Sequence, residues 1–196
     1  MYVGVDIGQE KQEFHPRYEF ASGAPTQRYA DNSTGRSYAL RIGHAWSMAE
    51  RVTLAAQLRY AHADNRWRLA TPEPATLDYQ IPDVLSLGLV ARYVVSGPWS
   101  AHAELSIGRG DVQLRKQSGG ASVTQYARDG AANQQGWAIG AGYALSPALG
   151  LQAEYRRLRF ESLGTTSTLP GSSTVVETLT DRPTTEGLVL GLQYRW

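Results

Sequence analysis

The chain has no cysteine, and of its 19 basic residues only Lys11 and Lys116 are lysines. Without thiols there is no disulfide scaffold, no zinc ribbon and no cysteine nucleophile. The four histidines (His15, His44, His62, His102) are scattered, with no paired-ligand spacing, so no metal site is expected. Charge of one sign is also missing: a formal net charge of +1 gives no electrostatic footing for nucleic acid. No run approaches the ~18 apolar residues of a membrane helix. The richest window, LSLGLVARYVV, carries Arg92 inside it. There is no phosphate loop and no dinucleotide fingerprint, so no cofactor is expected. Nor is there a signal peptide, because Met1 runs directly into strand-like YVGVDIG; an exported protein would begin here as a mature chain with a new initiator Met.

What the sequence has instead is alternation. From Gly187 to Trp196 every second residue is large and apolar (Leu188, Leu190, Leu192, Tyr194, Trp196), the period of a half-buried strand. Similar segments lie near 2–11, 37–46, 51–62, 84–95, 99–109, 136–145 and 149–160, about eight strands in all. Three connections are short turns (SMAE, SGP, SPA). The other four run to roughly twenty residues, well beyond the usual hairpin loop. Long and short alternate strictly, which predicts an antiparallel up-and-down meander with all long loops at one end and both termini at the other. Such a sheet disposes of its edges by pairing last strand with first.

The two faces of these strands differ. One carries Val5, Ile7, Leu40, Ile42, Leu58, Leu87, Leu89, Leu105, Ile107, Ile139 and Leu151, with charge only at strand ends. Its aromatics sort by height: Trp46, Tyr93, Trp99, Tyr143, Tyr194 and Trp196 near the short turns, Tyr38, Tyr60, Trp137 and Tyr155 near the long loops. Two aromatic girdles around an aliphatic band fit the two interfaces of a membrane. The opposite face mixes Gly and Ala with Asp6, Arg41, Arg59, Arg92, His102, Glu104, Glu154, Arg156 and Arg195. A soluble carrier barrel would turn the apolar set inward; tiny residues among a few long charged ones suit the narrow lumen of an eight-stranded barrel. Unpaired buried charges are costly, so Asp6, Glu104 and Glu154 are expected to pair with Arg41, Arg59, Arg92 or Arg156 and to plug the lumen.

The segments YVGVDIG, YALRIGHAWSMAERVTLAAQLRYAHAD, WAIGAGYALSPALGLQAEYRRLRF and GLVLGLQYRW resemble the small outer-membrane β-barrels of Gram-negative bacteria, of the OmpA transmembrane, OmpX and opacity-protein type. The resemblance covers essentially the whole chain. It implies an integral outer-membrane protein with periplasmic termini and extracellular loops. In that family the last strand is read by the barrel-assembly machinery. Leu188, Leu190, Leu192, Tyr194 and Trp196 fall on this signal, with Trp196 where Phe is usual. The implied partners are outer-membrane lipid and lipopolysaccharide; the long loops either bind an extracellular ligand or host surface, or are hydrophilic padding that contacts lipopolysaccharide through Arg28, Arg68, Arg115, Lys116 and Arg128.

Two motifs invite more specific functions. In SAHAELS, Ser100, His102, Glu104 and Ser106 share one face of a strand and supply the groups of an acyl-transfer site. Same-face neighbours on a strand are nevertheless ~6.5 to 7 Å apart, so a hydrogen-bonded lumen network is the expected role, without catalysis. The tripeptide Arg109-Gly110-Asp111, where the fifth strand meets its long loop, can serve in adhesion, but three common residues coincide easily. A narrow solute pore and a barrel enzyme acting on lipid or peptide are the competing functions.

Overall fold

The structure, a computed structural model, describes residues 1–70, 75–118, 126–168 and 175–196. Eight long strands form the barrel wall: β1 (Tyr2–Phe14), β4 (Asp31–Ala49), β5 (Val52–Ala63), β8 (Asp83–Ser96), β9 (Trp99–Ser118), β10 (Tyr126–Ala144), β11 (Leu149–Phe160) and β14 (Thr184–Arg195). Six short strands lie in the long connections: β2 (Arg17–Phe20), β3 (Gln27–Arg28), β6 (Trp67–Ala70), β7 (Ala75–Gln80), β12 (Leu163–Thr168) and β13 (Val175–Asp181). The wall runs β10-β11-β14-β1-β4-β5-β8-β9, and β9 pairs back to β10, so it closes. β1 and β14 pair antiparallel from Tyr2 with Arg195 to Glu13 with Thr184, which removes the edge that a terminal strand would expose.

Several strands outrun the sequence-derived limits. The strand expected at 37–46 spans Asp31–Ala49, the one at 99–109 spans Trp99–Ser118, and the one at 136–145 spans Tyr126–Ala144. The long connections are correspondingly more structured than unpatterned loops. β12, β13, β2 and β3 make a separate four-stranded sheet, while β6 and β7 extend the wall by pairing β7 with the upper part of β9. The short ends remain tight, at Glu50 and Arg51, at Gly97 and Pro98, and from Leu145 to Ala148. Gly97 turns its corner at φ 51°, a conformation that a side chain would disfavour.

The physical reason for the extra length is that alternation continues while its polarity inverts. On β9 the inward positions read His102, Glu104, Ser106, Gly108 and Gly110 and then become Val112 and Leu114. The outward positions change from Leu105 and Ile107 to Arg109 and Asp111 over the same rise. β11 does likewise, passing inward from Glu154 and Arg156 to Leu158 and Phe160, and outward from Leu151 and Tyr155 to Arg157 and Arg159. Below the switch the wall is apolar outside and polar inside; above it, the order is that of a water-soluble domain. The upper lumen is filled by Phe14, Tyr18, Trp67, Leu77, Tyr79, Ile81, Val112, Leu114 and Phe160. Phe14 stacks on Trp67 at 5.2 Å and meets Tyr79 edge-on at 4.5 Å, so this part is a packed hydrophobic core.

The lower wall faces outward with Leu105 70 % and Leu188 68 % exposed. Trp46 and Tyr38, both exposed, bound the apolar band on β4. The eight steps from one to the other span about 26 Å along a strand at ~3.3 Å per residue. At a tilt of ~40° that is about 20 Å of membrane thickness, near the ~25 Å apolar band of membrane barrels.

Candidate functional site

The polar lumen begins with glycine. A Cβ on Gly88 would lie 2.6 Å from the Glu104 carboxylate, one on Gly140 2.7 Å from the His102 ring, one on Gly4 2.6 Å from Arg41 Nε, and one on Gly43 2.5 Å from the Tyr2 ring. Each long polar side chain thus lies over a glycine of a neighbouring strand. The tiny residues are the slots that let a narrow barrel hold charged groups at all.

In those slots Asp6 from β1 meets Arg41 from β4 at 2.7 Å and Arg59 Nε from β5 at 3.2 Å. Arg156 from β11 donates from two nitrogens to Glu104 on β9, at 3.0 and 2.7 Å, and also to Glu154 at 2.8 Å. His102 Nε2 lies 3.3 Å from Glu154, and Arg41 Nη1 lies 3.9 Å from the same carboxylate. Glu104 further accepts from Gln57, whose amide oxygen accepts the Tyr2 hydroxyl. Asp6, Arg41, Arg59, His102, Glu104, Glu154 and Arg156 are all buried. Asp6, Arg41, Glu154 and Arg156 each take two or more charged partners, an arrangement that makes burial of charge tolerable.

Two of the expected members stand apart. Arg92 is half-buried and donates to the side-chain oxygen of Gln193 at 3.0 Å rather than to a carboxylate. Arg195 is exposed at the lower mouth, where it helps to line a cavity of about 80 Å³ beneath the network. Tyr2 and Gln57 complete the cluster, and Glu10, buried on the inward face of β1, stands above it. The signal for Tyr2 and Glu10 was present, since both share the parity of Asp6.

The Ser, His and carboxylate set of β9 does not assemble a nucleophile. His102 engages Glu154 over Gly140 of the intervening β10, and the Ser106 hydroxyl, though buried, makes no hydrogen bond. Arg109-Gly110-Asp111 lies inside β9, paired with Asn133, Ala132 and Ala131, instead of at the start of a loop as the spacing suggested. Gly110 faces inward against Phe160, leaving only Arg109 and Asp111 exposed.

On the outer wall, Tyr38, Trp46, Tyr60, Tyr93, Trp99, Trp137 and Tyr143 are exposed, and Tyr155 is partly so. Trp99 packs edge-on to Tyr143 at 4.8 Å at the lower end, and Trp137 lies 5.7 Å from Tyr155 at the upper. Leu188, Leu190, Leu192, Tyr194 and Trp196 all point outward as well. Trp196 lies just past β14, whose last residue is Arg195.

Above the band the surface is charged. Arg66 and Arg68 both bind Asp78, at 3.0 and 2.8 Å, and the bond from Arg68 holds the Asp78 carboxyl below its usual range. Asp181 is buried where β13 returns to the wall, and burial pushes its carboxyl up although it accepts the amides of His15 and Arg182. Arg28 and Arg115 are exposed; the side chains of Lys116 and Arg128 lie outside the described residues. No group of three or more metal-ligating side chains occurs among the described residues.

No family model and no curated protein matches the chain in sequence. Solved structures do match in shape. The chain is similar to the outer-membrane protein OprG of Pseudomonas aeruginosa, with a TM-score of 0.61 at 9% identity over 100% of this chain and 96% of that one. It is similar to the outer-membrane protease OmpT of Escherichia coli, with a TM-score of 0.59 at 10% identity over 100% and 97%. Neisserial surface protein A aligns over 97% of both chains at 13% identity with a TM-score of 0.49. Full-length coverage in both directions, together with a closed eight-stranded wall whose polarity is inverted over a membrane-sized band, gives this chain the fold of the outer-membrane β-barrels.

Proposed function

We propose that the protein is an integral outer-membrane barrel, with termini in the periplasm, that is sealed rather than conducting. Its work is to hold a folded sheet of loops at the cell surface for interaction, without catalysis. One observation carries this reading: the lumen is filled in two layers, an ion-pair network around Arg156 and an apolar core around Phe14, directly beneath the β12-β13-β2-β3 sheet. A pore needs a water-filled path, and a lipid or peptide enzyme needs an accessible nucleophile or activated water. A rigid wall carrying ordered loops fits a binding platform. On this reading Leu188, Leu190, Leu192, Tyr194 and Trp196 also serve the barrel-assembly machinery.

Planar bilayers test the seal: the purified protein should give no unitary conductance steps, and regular steps would overturn it. Orientation is tested separately because the chain has no native thiol. Ser22→Cys, in the first long connection, should react with an impermeant maleimide on intact cells, and Ser146→Cys, in a short turn, should not. The reverse pattern would place the loops in the periplasm.

A further inference from the structure

The strongest unassigned feature lies inside the barrel, at the mouth that the short turns surround. Two adjoining cavities open there below the ion-pair network, of about 80 and about 100 Å³, and Arg92, Gln193 and Arg195 line both. Arg92, half-buried on β8, crosses the lumen to donate to the Gln193 side chain on β14 at 3.0 Å. Gln193 and Arg195 are two residues apart on one face of β14, and β14 stands opposite β8 in the ring. Guanidiniums from opposite walls are thus drawn into one mouth. Among the described residues neither forms an ion pair. The Gln152 amide beside them gives its oxygen to Arg41, so the one described acceptor of Arg92 is neutral.

The carboxylates nearby do not offset this charge. Glu104 and Glu154 also line the smaller cavity, but together with Asp6 they are balanced one for one by Arg41, Arg59 and Arg156, which bind them. Arg92 and Arg195 are in excess of that balance. Glu10, the next buried acid, stands eight steps up β1 from Tyr2, about 26 Å along the strand at ~3.3 Å per residue. An arginine at a wet mouth is free to point into water; Arg92 instead reaches across the lumen toward a second positive charge. Like charges held together in a cleft with low-dielectric walls repel each other and concentrate anions.

We propose that this mouth is a binding site for one small dianionic oxyanion, of the sulfate or phosphate type, held between Arg92 and Arg195. Guanidinium forks match such oxygens in two-point geometry, and Thr53 and Ser100 bring hydroxyls to the two linings. A cavity of ~10 to 15 Å³ on the same scale holds one water. Each cavity therefore has room for several waters or one small oxyanion, and none for a nucleotide, a peptide or a lipid. With the ion-pair network and the Phe14 core closing the lumen above, the anion enters and leaves by the same mouth. Binding itself rests neither on that seal nor on the orientation of the barrel, which decides only the compartment served.

Isothermal titration calorimetry of the full chain, refolded in dodecyl maltoside so that no detergent phosphate competes, tests the site with sodium sulfate as the probe and sodium chloride as the comparison. We expect saturable binding of one sulfate per barrel, with chloride at least about tenfold weaker. Arg92→Gln and Arg195→Gln should each weaken sulfate by about tenfold or more. Arg51→Gln, which removes an exposed arginine of a short turn at the same end but outside both cavities, should leave it unchanged. Each variant must keep the heat-dependent gel shift of a folded barrel, and Arg195→Gln, at the exposed mouth, carries the test where Arg92→Gln does not fold. Chloride binding as tightly as sulfate, sulfate affinity unchanged in Arg195→Gln, or an equal loss in Arg51→Gln would overturn the site. So would the absence of saturation up to about 10 mM sulfate. Failure of the sealed-barrel reading appears separately, as conductance steps in planar bilayers, and leaves the sulfate titration standing.

Discussion

Arg156 shows how the lumen tolerates charge. Its guanidinium serves Glu104 through two bonds and Glu154 through two more, with all three side chains buried. Removing one member of such a set leaves carboxylates buried without a partner. Arg156→Met is expected to cost about 3 to 5 kcal/mol, measured by urea unfolding in detergent. Adding Glu104→Gln and Glu154→Gln to the same protein should recover most of that loss, because the unpaired charges are then gone; a triple variant as unstable as the single would show that the network contributes through packing alone. Parity alone groups Asp6, Arg41, Arg59, His102, Glu104, Glu154 and Arg156 on one face, and these seven are buried together in the lumen. Which acid met which base was not legible, because partners such as Asp6 and Arg59 are 53 positions apart and are joined only by the tilt of the strands.

The loop sheet has its own pH dependence. Burial raises the Asp181 carboxyl, so its neutral form is the one the fold prefers. The associated stability is fully present below the ordinary, unfolded-state carboxyl value and is lost as pH rises through the raised folded value. Asp181→Asn should therefore remove a stability loss that wild type shows between acid and neutral pH, read as protection of β13 and β2 amides from hydrogen exchange. The apolar core beneath this sheet is the other element-scale device. Phe14 is fully buried and packs on Trp67 and Tyr79, and Phe14→Ala should cost about 3 to 5 kcal/mol by cavity formation. The same chemical unfolding measurement reads it, and an effect under about 1 kcal/mol would mean that the upper lumen is not a packed core. These elements were poorly legible beforehand. Above the membrane band the apolar parity switches sides on β9, so that strand seems to end where it merely changes solvent, while the upper part of β4, DNSTGR, has no apolar residue to mark it as strand.

For the whole molecule, closure is the property with the plainest readout. A wall in which every strand of the ring is paired on both sides has no edge from which detergent can unzip it. The refolded protein should run faster on an SDS gel when unboiled than when boiled, and should fall out of solution when detergent is withdrawn. A monodisperse soluble protein with no shift would mean that Leu105, Ile107 and Leu188 do not face lipid.

Strand number, the alternation of short turns with long connections, the two aromatic girdles and the polar lumen were determined by the sequence itself. Each is a period-two pattern local to one strand, and local patterns survive in one dimension. The tertiary structure alone decided two things: the ion-pair partners within the lumen and the apolar core under the loop sheet. Both depend on register and tilt between strands distant in the chain, and those are set by how the sheet closes.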